Sequence, residues 1–222
     1  MNFEPEMIFV QGGTFLMGSP ESEAGRWNDE RQHEVTLHDF YIGKYPVTQA
    51  QWVAVMGNNP SHFKGDDLPV ENVSWNDTQE FIQKLNDLTG KAYRLPTEAE
   101  WEFAARGGTQ SKGYLYAGSD DLNEVAWWYK NSNSRTRPVG RKKPNELGLH
   151  DMSGNVWQWC NDWYGDYPAE PQINPTGPDS GELRVHRGGS WINVAQYCRS
   201  AYRNVNEPTL RYYSIGFRLA SQ

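Results

Sequence analysis

Apolar residues recur at helical spacing in three stretches, all in the first half of the chain. After Thr48, QAQWVAVM carries Trp52, Val55 and Met56 and stops at Gly57, a hydroxyl cap at one end and a glycine at the other. Ser74 opens WNDTQEFIQKLNDLTG, where Trp75, Phe81, Ile82, Leu85 and Leu88 fall on one face and Gly90 ends the run. Thr97-Glu98-Ala99-Glu100 is a capping box: the Thr97 hydroxyl can accept from the amide three residues on, and Glu100 can reach back. Trp101 and Phe103 continue that helix to Gly107-Gly108.

Elsewhere the apolar positions form short β-type runs between turn residues: MIFV, GTFLMG, EVTLHDFYIG, KAYRLP, RVHRGG, CRSAYR and SIGFRLA. From Asn145 to Ser190 nearly every window holds Gly, Pro, Asn or Asp, which predicts an irregular second half. Without βαβ alternation, the order of elements predicts an α+β fold of short antiparallel strands and two or three helices. No repeat or linker divides residues 1–222, so one domain is expected.

Composition sharpens this picture. Ten Trp and twelve Tyr beside 21 Gly and 13 Pro point to turns built around aromatic anchors. A net charge of −7, with no basic run longer than Arg141-Lys142-Lys143, lacks the footprint that nucleic-acid backbones require. No window approaches the apolar length of a membrane span, and the N-terminus lacks a signal pattern. The expectation is a monomer, cytoplasmic unless a leader has been removed, and at the cell surface in that case. Two cysteines, Cys160 and Cys198, are too few for a disulfide scaffold and read as buried small apolar residues.

Several local signatures converge: GGTFLMGS, YPVTQAQW, PVENVSWNDT, YRLPTEAEWEFAARGG, GLHDMSGNVWQW, RGGSW and IGFRLA. In this order they resemble the formylglycine-generating enzyme, or sulfatase-modifying-factor, family over essentially the whole chain. The resemblance implies a variant of the C-type lectin fold, often stabilised by calcium. It also implies an oxidoreductase that converts a peptide cysteine to formylglycine, with copper held by two cysteines five residues apart soon after the GGS.

Here those positions are Asn193 and Cys198. An amide is a hard, neutral ligand and cannot replace a thiolate on copper(I), so copper is not expected. If the chain were nonetheless an enzyme of this family, Cys198, Ser190 and Trp157 would carry the chemistry. The five histidines, His33, His38, His62, His150 and His186, show no paired spacing for an iron site. For calcium, the resemblance implies Asp151, Gly154, Val156 and Gln158 as ligands, through two side chains and two main-chain carbonyls. Gln158 stands where a glutamate is common, which removes one charge. The other reading of this loop is a turn held by Trp157 and Trp159, with Asp151 as a local acceptor.

Residues 191–214 carry a different pattern. Ile192, Asn193, Val194, Tyr197, Tyr202, Asn204, Val205, Asn206, Thr209, Leu210, Tyr212, Tyr213 and Ser214 are all reachable from an AAC codon by replacing adenines only. They alternate with fixed-looking residues such as Trp191, Cys198, Arg199 and Arg203. The segment resembles the variable region of a protein diversified by a diversity-generating retroelement. Tyrosines with Asn and Ser are the composition of adaptable paratopes. The expected function is therefore a non-catalytic ligand-binding domain that meets a protein or other macromolecule through its C-terminal face. The alternatives are an oxidoreductase of the same family and a structural or sensory accessory module.

Overall fold

A computed structural model describes residues 3–222. The three helices form where the caps place them: α1 (Gln49–Met56), α2 (Trp75–Thr89) and α3 (Glu98–Ala105) each open on a complete capping box. Gly57 and Gly90 end the first two in the left-handed conformation, which costs glycine little. On α2, Phe81, Ile82 and Leu85 are buried as the period predicts, but Leu88 in the last turn is 61% exposed. A short fourth helix, α4 (Leu122–Val125), was not expected from periodicity, being only one turn long.

The strands make three small sheets. β1 (Met7–Val10) pairs with β4 (Phe40–Gly43), whose other edge takes β10 (Ala220–Ser221). β2 (Gly13–Met17) pairs with β3 (His33–Leu37), and β6 (Gln172–Ile173) joins β3 in parallel. The third sheet runs β8 (Arg203–Asn206), β7 (Arg184–Arg187), β5 (Trp157–Trp163), β9 (Ile215–Phe217), with β5 and β9 parallel.

Three expectations need correction. The strands are not uniformly antiparallel: β3–β6 and β5–β9 run parallel. KAYRLP makes only an isolated bridge at Arg94, and CRSAYR contributes to a strand only from Arg203. In the stretch expected to be irregular, WQWCNDW forms the inner strand β5. Its first four residues are all buried, so it shows no alternation to read.

Besides a smaller cluster around Leu122, Trp128 and Cys198, two large apolar clusters fill the interior. One gathers Trp101 and Phe103 of α3 with β1 to β4; the other joins α1 and α2 to β5 and β9 through Trp52, Phe81, Trp159 and Phe217. Trp52 and Phe81 stack at 5.2 Å with planes 5° apart. Burying such side chains contributes roughly 1.5–3 kcal/mol each.

Helix α3 is buried on every side, its glutamates included. Arg187 of β7 places its guanidinium between Glu98 (2.6 Å) and Glu102 (2.5 Å), and Arg203 of β8 reaches Glu98 at 2.7 Å. Burial alone would raise the Glu98 carboxyl, but Arg203 and Arg187 outweigh it and hold it near 2. Asp162 accepts the Glu98 amide at 2.8 Å; burial, then the Glu98 charge, push its carboxyl up to about 8. This network fixes β7 and β8 against α3, and those strands carry the candidate site.

Candidate ligand-binding site

The β7–β8 register pairs His186 with Asn204 and Val185 with Val205. Strand alternation then sends the two pairs to opposite faces. On one face Asn204, Asn206 and His186 are joined by Trp157 of β5 and Ile215 of β9 around an open cavity of about 490 Å³. After β7 the chain turns through Gly188 and Gly189, at φ 98° and 72°, into Ser190 and Trp191. Trp191 is buried; its indole donates to the Tyr213 carbonyl at 3.2 Å, which ties the two ends of the segment together.

Seven of the thirteen nominated positions line this cavity. Ile192 and Asn193 come from the turn after Trp191, Asn204 and Asn206 from β8. Leu210, Tyr212 and Ser214 come from the return towards β9. Tyr212 stacks on Tyr213 at 4.3 Å, and Tyr213 is half-buried between Trp191 and His62. Val194 and Thr209 are exposed but lie off the lining, and Tyr197 is half-buried against Tyr202.

Packing turns two more of these positions away from the cavity. Tyr202 is 7% exposed and belongs to the second core cluster, against Trp157. Val205 is half-buried against the first cluster, on the face of β8 away from this cavity, where it lines a separate groove with Asn206 and Leu210. A residue type reachable from one codon does not fix which way a strand side chain points.

The cavity floor was missed as a binding element. In the sequence Trp157 reads as a possible catalytic residue or as the anchor of its turn, and His186 as one of five histidines without paired spacing. The signal for His186 lay in RVHR, where strand alternation aligns it with Asn204 once the partner strand is known. Burial pushes the His186 imidazole down to about 3, so it is neutral; its Nε2 lies 2.7 Å from the Asn206 amide nitrogen, which donates to it. None of the described lining residues carries a formal charge at neutral pH.

The three residues of the enzymatic alternative are not poised for nucleophilic chemistry. Cys198 is fully buried in a short turn, and burial pushes its thiol up to about 12, so it holds no thiolate at neutral pH. Ser190 is buried and its hydroxyl donates to the Asn193 side-chain oxygen at 2.5 Å. Trp157 is 4% exposed and forms the cavity wall. Cys160 is likewise buried, with its thiol raised by burial.

The calcium ligands implied by the resemblance share one loop, with Asp151 and Gly154 both at positive φ. The side chains of Gln158 and Asp151 are engaged otherwise. Gln158 Oε1 accepts from Trp101 Nε1 (2.8 Å) and Arg218 Nε (2.6 Å), while its Nε2 donates to the Asp151 carbonyl (2.6 Å). The Asp151 carboxylate accepts from Gly140 N at 2.8 Å and Asn155 Nδ2 at 3.3 Å. The buried Arg218 guanidinium also donates to the carbonyls of Gly43 and His150. Gln158 thus turns an N–H inward where a cation needs oxygen, and the set as arranged does not fit calcium. The loop is closed by hydrogen bonds instead.

The sulfatase-modifying factor enzyme 1-like domain matches residues 2–222. The chaperone protein LppX of Paenibacillus barcinonensis is 34% identical, over 89% of this chain and 82% of its own. The formylglycine-generating enzyme of Streptomyces coelicolor is 40% identical over 69% of this chain, and the match spans 52% of that enzyme. Among solved structures, Treponema denticola variable protein 1 superposes with a TM-score of 0.90 at 34% identity, covering 97% of this chain and 94% of that one. No helix among the described residues is long and apolar enough to cross a membrane.

Proposed function

This chain belongs to the sulfatase-modifying factor enzyme 1-like domain family, and within it we propose that it is a non-catalytic binding domain that presents a diversified surface to a macromolecular ligand. Its fold is the α+β, C-type lectin-like fold of that family. One observation carries the reading: seven positions nominated from codon pattern alone converge on one open cavity, though they are scattered between residues 192 and 214. Their scaffold is rigid, because β7 and β8 are clamped to α3 by buried ion pairs. The likeness to a variable protein at 34% identity supports the same reading.

A display library randomised at Ile192, Asn193, Asn204, Asn206 and Tyr212, and selected against an unrelated folded protein, tests it. Most members are expected to fold, and selection should yield specific binders. A library that is largely unfolded would count against a surface built for variation.

The identity to the Streptomyces enzyme favours one rival, an oxidoreductase acting on peptide cysteine. Copper(I) titration separates the two. Stoichiometric tight binding that disappears in Cys198→Ala, together with oxidation of a cysteine peptide, would establish the enzyme; the buried, protonated thiol leads us to expect neither.

A further inference from the structure

We propose that the binding surface extends beyond the 191–214 segment to two aromatic anchors outside it, Trp27 and Tyr129, and that its partner is a protein presenting an uncharged patch of aromatic and aliphatic side chains. The proposal rests on the reading of the segment as a binding face. Of the eleven large exposed apolar side chains among the described residues, five, Trp27 (48%), Tyr129 (64%), Ile192 (39%), Val194 (48%) and Tyr212 (42%), are tied to this region by direct contacts or by chain adjacency.

Trp27 comes from the loop after β2, yet it is held to the segment. Its ring meets Tyr202 edge-on at 6.0 Å, and Tyr202 in turn packs on Trp157 at the cavity wall. The loop is clamped on both sides of Trp27. Gln196 Nε2 and Arg199 Nη2 donate to the Gly25 carbonyl at 3.0 and 2.7 Å, and the buried Arg199 pairs with Glu23 and Glu30. Tyr129 is fixed from another direction. Its amide donates to the Asn193 carbonyl at 3.1 Å, and Ser132, in the same turn, donates to the Trp191 carbonyl at 2.8 Å.

Both side chains are therefore presented by backbones that the segment itself positions. Trp and Tyr are the residues that most often anchor protein interfaces, since they bury large area for two rotatable bonds. Trp27 and Tyr129 both lie outside residues 191–214, so they add contact area that the varied side chains do not themselves supply. The anchors would provide general affinity, and the varied side chains the discrimination.

The partner's chemistry follows from charge. The floor pairs the Trp157 indole with a neutral His186, and the polar wall groups are the uncharged amides of Asn193, Asn204 and Asn206. A buried Lys, Arg, Asp or Glu from a partner would find no counter-charge there and would lose its hydration. Aromatic and aliphatic groups with amide edges match both surfaces.

The test uses the full chain, labelled with ¹⁵N, titrated with N-acetyl-tyrosinamide and, separately, with the charged N-acetyl-lysinamide. The tyrosine probe is expected to shift the Trp27 indole N–H and the Tyr129 amide together with Asn193 and Tyr212, at one saturating concentration. The amides of Phe9 and Ile173, exposed elsewhere, should stay still. Trp27→Ala and Tyr129→Ala should each weaken the probe about fivefold or more, with Trp27→Gln as a second variant if Trp27→Ala loses the native spectrum. If Asn193 and Tyr212 respond while Trp27 and Tyr129 do not, the extension is wrong and the binding face stands. If lysinamide binds equally, the uncharged partner is wrong. If nothing on this face responds more than Phe9 and Ile173, both the extension and the underlying reading fail.

Discussion

Gly189 lies directly over the thiol of Cys198: a Cβ built on Gly189 would stand 2.6 Å from Sγ and 2.9 Å from the Tyr197 carbonyl. Gly189 also holds φ at 72°, where a side chain is strained. The GGS turn and the surviving cysteine thus form one packing unit that sets where residues 190–193 emerge. Gly189→Ala is expected to destabilise the fold by more than about 2 kcal/mol, from strain and overpacking together, measured by urea denaturation. In the wild type, Cys198 should resist a thiol reagent such as DTNB until the protein is unfolded.

Tyr212 and Tyr213 stack on each other but differ in burial, so their alanine variants should separate. Tyr212 is 42% exposed, and Tyr212→Ala should change stability by less than about 0.5 kcal/mol. Tyr213 also packs on Trp191 and His62, so Tyr213→Ala should cost about 1–2 kcal/mol. Loss of ligand binding with Tyr212→Ala at an unchanged melting temperature would mark Tyr212 as a contact residue.

Asp162 gives the stability a pH dependence of definite sign. Its carboxyl titrates near 3.8 when unfolded and near 8 when folded, so between these values the folded state binds the extra proton. Stability from this group is therefore fully present below about pH 4 and is lost as pH rises towards 8. Asp162→Asn keeps an acceptor for the Glu98 amide and removes the titration. Its stability relative to wild type should improve from pH 5 to pH 8, which chemical denaturation at several pH values would show.

The Gln158 network predicts that the fold does not need calcium. The melting temperature is expected to be the same in millimolar calcium and in a chelator. Gln158→Ala would strand the N–H groups of Trp101 and Arg218 inside the core, and should cost at least about 2–3 kcal/mol by denaturant titration. A calcium-dependent rise of several degrees in the wild type would overturn this.

Glu98 bridges Arg187 and Arg203, and Glu98→Gln leaves two buried guanidinium groups short of charge. A loss of about 3–5 kcal/mol is expected, with β7 and β8 exchanging their amide hydrogens faster than β1 or β4. Since those strands carry Asn204, Asn206 and His186, ligand binding should weaken in the same variant.

What the sequence determined by itself was local. Thr48, Ser74 and Thr97 with their partners three residues on, and Gly57 and Gly90 at the far ends, define three helices from interactions that span a few residues. The motif order identified the family, and the codon pattern nominated a segment. Tertiary structure decided the rest, because it depends on partners distant in the chain. Glu98 is buried only because Arg187 and Arg203, 89 and 105 residues away, reach it. The direction of each segment side chain follows from the register of β8 on β7, which places Asn204 and Asn206 in the cavity and turns Val205 away. β5 gave no alternating signal because both its faces are covered. Trp27 and Tyr129 are tied to the segment through bonds to the Gly25 and Asn193 carbonyls that no local pattern encodes.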